Sequence, residues 1–279
     1  MAVSADDNRA NTSEVTMRFL AIIIAICASL PAQAQDTGLV TLQTRNDSKG
    51  WEAVGRLDIS GKGFCTAALI QDQLILTAAH CVYDTDGSVI AADRFTFEAG
   101  LRDGRSEASR GVRRLLAHPD YQHSGPSADT SEVASDIAIL ELDQPIRDGR
   151  IKPFPIASRP RAGDQIGVVS YGKDRANAPS LQEICSVLRR QNGVLLMTCD
   201  INFGSSGAPV FRLENGQIEI VSVVSAMAEV NGEPISIGTS LQQPLATLLM
   251  AFENISAGGP RQIIVNGQRS EGGAKFVRP

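Results

Sequence analysis

Leu74–Val82 reads LILTAAHCV, an apolar, β-favouring run that stops at two alanines, a histidine and a cysteine. Such a short run suits a strand covered on both faces better than a helix. Similar short runs recur along the 279 residues, separated by Gly, Pro, Asp and Asn, with no internal repeat, no heptad and no long helical period. That is the pattern of an all-β barrel or sandwich. In the first half strands are expected at 51–58, 64–70, 73–77, 93–99, 111–117 and 136–142. In the second half they are expected at 164–171, 183–190, 194–200, 208–213, 217–226 and 234–240. The two sets of six are joined by a Pro-rich, charged linker, Asp143 to Asp164. One helix is expected at about 242–253, where Leu245, Leu248, Leu249 and Phe252 recur at helical spacing and would pack onto the strands. The Gly-rich, polar stretch 257–279 reads as a tail.

A hydrophobic content of 43% over this length can bury a sizeable core. The net charge of −5 and the absence of a basic block argue against nucleic acid as a partner. Near the start, Met17-Arg18 leads into FLAIIIAICASL and then PAQAQD, in which Ala32-Gln33-Ala34 has the small-x-small pattern of a leader cleavage site. Residues 1–34 are therefore read as a signal peptide removed after Ala34, with Met17 as an alternative start, and residues 35–256 as the folded part. The apolar run is shorter than the about 20 residues a spanning helix needs; the alternative reading is an uncleaved amphipathic or anchor segment. No stable membrane span is expected after cleavage, and the location expected is secreted or periplasmic.

Cysteine usage agrees with export. Cys27 lies in the leader, leaving Cys65, Cys81, Cys185 and Cys199, an even number suited to two disulfides in an oxidising compartment. In CSVLRRQNGVLLMTC, a three-residue hairpin loop at Gln191-Asn192-Gly193 would set Cys185 opposite Cys199. Facing side chains on antiparallel strands are close enough for a disulfide. Elimination then pairs Cys65 with Cys81. No Cys-x-x-Cys spacing and no acidic loop dense enough for calcium is present, so neither metal nor cofactor is expected.

There are three histidines. His118 precedes a proline and reads as a surface turn; His123 lies in a polar loop and receives no role. His80, taken alone, reads as a satisfied structural residue. Asp136 opens the apolar run SDIAILEL, and if buried it needs a partner, because an isolated carboxylate in a low-dielectric site is costly. A histidine N–H would serve. The run NFGSSGAPV, Asn202–Val210, taken alone is a loop.

Together, in this order, these segments resemble the trypsin and chymotrypsin family of serine proteases. The likeness rests on Thr77-Ala78-Ala79-His80-Cys81, on Asp136-Ile137-Ala138-Ile139-Leu140, and on Gly204-Ser205-Ser206-Gly207-Ala208-Pro209. FCTAALI before the histidine, the sixteen-residue step from Cys65 to Cys81, and HPDY before the acid are also similar. The likeness covers roughly 50–253. It implies two six-stranded antiparallel barrels, at about 50–142 and 164–240, packed around a cleft with a C-terminal helix. It also implies a triad of His80, Asp136 and Ser206, an oxyanion hole at the backbone of Gly204 and Ser206, and a polypeptide substrate cleaved through an acyl-enzyme. A hydroxyl is barely nucleophilic at neutral pH without a base beside it, which is why the three residue types belong together.

Two departures from the family stand out. Ser205 occupies the place where trypsins carry an aspartate that pairs with a new amino terminus, and no IVGG-type start is present; the chain resembles the bacterial glutamyl-endopeptidase-like branch more closely. Asp200, six residues before Ser206, lies where trypsins hold the acid that binds Arg or Lys, but the bacterial branch has an acid there without that preference. Ser222 and Ser225 both fit the substrate-pairing position in IVSVVSAMAEV, and Val223 and Val224 are read as narrowing the pocket. The implied function is an exported serine endopeptidase. The alternatives are a catalytically silent binding relative, or an esterase or amidase with the same triad.

Overall fold

The computed structural model describes residues 38–125, 129–156, 160–214 and 216–256. The expected leader at 1–34 and tail at 257–279 lie outside them. Six strands form a closed barrel in the order β2-β3-β4-β7-β6-β5. They are β2 (Val54–Ile59), β3 (Gly63–Gln71), β4 (Leu74–Thr77), β5 (Phe95–Ala99), β6 (Ala108–Ala117) and β7 (Ala138–Leu142). In β5 the side chains alternate, Phe95, Phe97 and Ala99 pointing into the core and Thr96 and Glu98 facing outward. All five residues of β7 are buried; its one charge, Glu141, is met by Arg113 and Arg114.

The second sheet contains β1 (Leu39–Thr41), β8 (Gln165–Gly172), β9 (Arg175–Gln191), β10 (Val194–Met197), β11 (Pro209–Glu214), β12 (Gln217–Val230) and β13 (Glu233–Ser240). Its order is β1-β9-β10-β13-β12-β11-β8, and β8 also pairs with β9, so β8 to β13 return on themselves while β1 adds outside them. The sequence reading had six strands here and no β1: three residues with Val40 exposed carry too little alternation to be seen. A helix α1 (Thr130–Ala134) precedes β7, capped by Asp129, whose side chain accepts from the N–H groups of Ser131 and Glu132. The C-terminal helix α2 (Gln242–Ser256) buries Leu245, Leu248 and Phe252, and the Arg114 guanidinium lies 4.0 Å from the Phe252 ring centre.

Both disulfides join the expected pairs, Cys65 to Cys81 and Cys185 to Cys199. The turn behind the second differs from the reading. Gln191 pairs with Val194, so the loop has two residues, Asn192 and Gly193, whose φ values of 50° and 81° are both left-handed. A two-residue hairpin loop of that kind matches the twist of its strands. The register then slips between Leu196 and Met197, where Met197 meets Val187, and this bulge restores the facing of Cys185 and Cys199.

The segment read as a linker is part of the core. Ile146, Ile151 and Phe154 are buried, and Phe154 packs 4.7 Å from Phe211 and 6.2 Å from Trp51 between ring centres. His118, read as a surface turn, is buried: its Nδ1 accepts from the Asp120 N–H, which folds the ring inward. His123 stacks on Tyr83 with ring centres 5.6 Å apart.

Candidate active site

Antiparallel pairing of β4 with β7 sets Thr77 opposite Ala138. His80 lies three residues beyond Thr77 and Asp136 two before Ala138, so the same ladder carries the imidazole and the carboxylate to one barrel end. A 3-10 turn, Ala79–Val82, follows β4, and Ala78 and Ala79 are fully buried. His80 Nδ1 lies 2.7 Å from Asp136 Oδ2, and the His80 backbone N–H donates to Asp136 Oδ1 at 2.8 Å. The Ser225 hydroxyl donates to Oδ2 as well. Three donors thus meet a carboxylate that is 2% exposed. Burial alone would raise the Asp136 pKa, but the His80 charge and these hydrogen bonds outweigh it and hold the carboxyl below its ordinary range. Burial alone would pull the His80 pKa down; the adjoining Asp136 charge and hydrogen bond reverse this, and the net shift is upward.

The loop Asn202–Gly207 comes from the second sheet and is tied to the first barrel at Thr66. The Thr66 N–H donates to the Ser206 carbonyl at 2.8 Å, and Thr66 Oγ1 donates to the Gly204 carbonyl at 2.9 Å. Thr66 adjoins Cys65, whose disulfide partner Cys81 adjoins His80. Gly207, at φ 78°, lies so near this seam that a Cβ there would fall 2.0 Å from Thr77 Oγ1 and 2.3 Å from the Thr66 carbonyl. Gly204, at φ 93°, faces the Phe64 ring, where a Cβ would fall 2.4 Å from Cε2. Only glycine fits either position.

Within the loop, the N–H groups of Ser205, Gly207 and Ala208 donate to the carbonyls of Asn202, Val224 and Ser205. Those of Gly204 and Ser206 have no acceptor among the described residues. Among the described residues no hydrogen bond joins His80 Nε2 to Ser206 Oγ. Such bonds are often long without a substrate. Ser206 is half-buried, and the His80 side chain is 28% exposed.

The remaining candidates separate. Asp200 is half-buried, its N–H donating to Gln182 Oε1 at 2.7 Å. Ser222 is fully buried and donates to the Thr239 carbonyl, away from His80 and Asp136. The ladder between β12 and β13 slips between Val224 and Ala226, leaving Ser225 as the bulged residue and aiming its hydroxyl at Asp136. Val223 and Val224 are buried, one in each core, and Ala226 and the exposed Met227 follow Ser225. Cys65, His80 and Cys81 bring ligand-type atoms within 4.8 Å of one another, yet both sulfurs are bonded to each other and offer no thiolate to a metal. A cleft of about 640 Å³ lined by His118, Glu132, Ser135, Arg190 and Gln243 contains none of His80, Asp136 and Ser206. Among the described residues no helix is long and apolar enough to cross a membrane.

A closed six-strand barrel, a second sheet and a C-terminal helix define the trypsin-like fold class. Residues 42–245 match the family model described as trypsin, and the chain belongs to that family. A trypsin of Blomia tropicalis, Blo t 3, is 25% identical over 154 residues, 53% of this chain and 53% of that protein. Coagulation factor IX of Oryctolagus cuniculus is 29% identical over 104 residues, 36% of this chain and 35% of that protein. The matches therefore span about half or less of these relatives' lengths. A solved structure of a Glu endopeptidase in complex with MPD superposes with a TM-score of 0.62 at 22% identity, covering 80% of this chain and 99% of that one; the likeness is one of fold.

Proposed function

We propose that this chain is an exported serine endopeptidase in which Ser206 attacks the peptide carbonyl, His80 is the base and Asp136 fixes the imidazole. The observation that carries this reading is the Asp136 carboxylate on His80 Nδ1 at 2.7 Å. That contact keeps the Nδ1 proton in place and leaves Nε2 as the basic nitrogen. His80 Nε2 takes the Ser206 proton as the oxygen adds to the carbonyl, and the imidazolium formed is stabilised by the buried carboxylate. The oxyanion meets the unpaired N–H groups of Gly204 and Ser206; one such donor typically contributes about 10²- to 10³-fold in turnover. Collapse expels the amine, which receives the proton from His80. Water, deprotonated by the same nitrogen, then releases the acyl group from Ser206.

Export is supported by the leader pattern at 17–34 and by two disulfides. Asp200 is the candidate for contact with a basic side chain of the substrate. A peptide library tests the whole reading. Cleavage abolished by Ser206→Ala supports an endopeptidase, and preferred Arg or Lys at the cleaved bond assigns Asp200 to the pocket. Turnover of small esters without any peptide cleavage would overturn the peptidase assignment.

A further inference from the structure

Ser205 is fully buried beneath the serine loop, and its hydroxyl is a hub. It accepts from Arg175 Nη2 and from the Asn202 N–H, both at 3.2 Å, and has Ser170 Oγ at 3.2 Å and the Tyr171 carbonyl at 3.4 Å to receive its proton. Arg175 begins β9 after a two-residue turn, Lys173-Asp174, and folds back across Gly172, where a Cβ would lie 2.9 Å from its Nε. Its guanidinium is fixed by the Ser170 carbonyl at 2.7 Å and by Ser170 Oγ at 3.0 Å. The turn itself grips the same loop: the Lys173 N–H donates to the Phe203 carbonyl at 2.7 Å, and Asn202 Nδ2 donates to Asp174 Oδ1 at 3.3 Å.

Sequence reasoning gave Arg175 no role. No motif marks it, and the sole local signal is the glycine at 172 that leaves room for the folded-back side chain. Burial pulls the Arg175 pKa down against the opposing charges of Asp174 and Asp200, yet a guanidinium remains charged in a protein. Among the described residues no carboxylate lies within ion-pair distance of it. A half-buried cation without a close counter-ion gains from well-made polar contacts, and here they are made to the backbone and hydroxyls that shape the serine loop.

We propose that Arg175 is a positioning residue: with the Lys173-Asp174 turn it clamps Asn202–Ser205, so that the Gly204 and Ser206 N–H groups are set by a cation inside the chain and no newly cut amino terminus is required. This rests on the reading of Ser206 as nucleophile. The planar fork reaches Ser170 and Ser205 at once, which an ammonium on a flexible stem cannot do with the same fixity.

The test compares the parent protein with Arg175→Met, Arg175→Lys and Ser205→Ala, reading amide hydrogen exchange and, separately, kcat and KM on a peptide substrate. In Arg175→Met, exchange at Ser205, Gly207 and Ala208 should quicken by about 10-fold or more while Leu74–Thr77 is unchanged. Turnover should fall about 10²-fold with KM nearly constant, because the loss is one of geometry. Arg175→Lys should recover part of both. Unchanged exchange and turnover in a folded Arg175→Met would overturn the proposal. Should that variant not fold, Ser205→Ala removes only the hub hydroxyl, and parental behaviour there would overturn it equally. A parent that cleaves no peptide, with exchange still quickened in the variants, would sink the functional reading and leave the clamp standing.

Discussion

Thr66 and Ser206, 140 positions apart in the chain, are joined backbone to backbone at 2.8 Å across the seam between the barrel and the second sheet. The Thr66 side chain completes the tie: its hydroxyl donates to the Gly204 carbonyl and accepts from the Tyr171 N–H at 3.1 Å. Since Thr66 is fully buried, replacing it by valine keeps the shape and strands both partners. We predict a loss of about 1–3 kcal/mol for each buried group left unpaired. Thermal unfolding would read this loss, and kcat should fall more than KM changes.

If His80 is the base, as proposed, its upward shift sets the acid limb of activity. The base must be neutral to take the serine proton, so kcat/KM should rise with pH through a value above 6.5, the ordinary histidine pKa. Asp136→Asn removes the charge that causes the shift. It should lower turnover by about 10⁴-fold, the loss seen when the triad carboxylate is neutralised, and move the remaining limb toward lower pH. A limb that stays in place in this variant would contradict the assignment of Asp136.

The same pair links stability to pH. A raised His80 pKa gives stability that is complete below 6.5 and lost as pH rises through the folded value; a lowered Asp136 pKa gives stability present above 3.8 and lost as pH falls through its folded value. The denaturant midpoint of the parent should exceed that of Asp136→Asn most between the two folded values, narrow towards it as pH falls through the folded Asp136 value, and lose only the His80-linked part of the difference as pH rises through the folded His80 value.

Gly207→Ala should be disabling. The left-handed φ of 78° and contacts of 2.0 and 2.3 Å to Thr77 and Thr66 leave no space for a methyl group without opening the seam. Gly216→Ala, at φ 76° with open space around it, serves as the control: strain without collision. Circular dichroism melts and turnover should separate the two, the first losing both and the second only a little stability.

The two disulfides should also differ. Cys185 and Cys199 close a loop of 14 steps, so removing both should cost about 3 kcal/mol by loop closure and leave kcat intact below the new melting temperature. Removing Cys65 and Cys81 should cost a similar amount and lower kcat too, since Thr66 and His80 flank that bridge. Equal kcat in both variants would argue that the bridge beside His80 does no positioning.

What could be read from the sequence was what repeats or recurs locally. Alternation in β5, the continuous apolar run of β7 and the helical spacing of Leu245, Leu248 and Phe252 all translate into the observed elements. The motif residues His80, Asp136 and Ser206 stood out by their neighbours, although pairing between strands is what carries His80 to Asp136. Bulges hid the rest. Period-two reading cannot tell Ser222 from Ser225, because a single slip after Val224 decides which hydroxyl meets the carboxylate. The Gln191-Asn192-Gly193 loop was misjudged by one residue for the same reason, and the slip beyond Leu196 compensated. His118 and Arg175 were missed because their partners are a local backbone N–H and a buried hydroxyl, which no spacing in the chain announces.

The central claim is that the Ser206 oxygen is an activated nucleophile. The most direct measurement is treatment of the folded protein with a fluorophosphonate, followed by intact mass and peptide mapping. The account predicts one adduct on the peptide carrying Ser206, formed in the parent, absent in Ser206→Ala and strongly slowed in His80→Ala. No adduct on the folded parent, or an adduct that persists in Ser206→Ala, would contradict it.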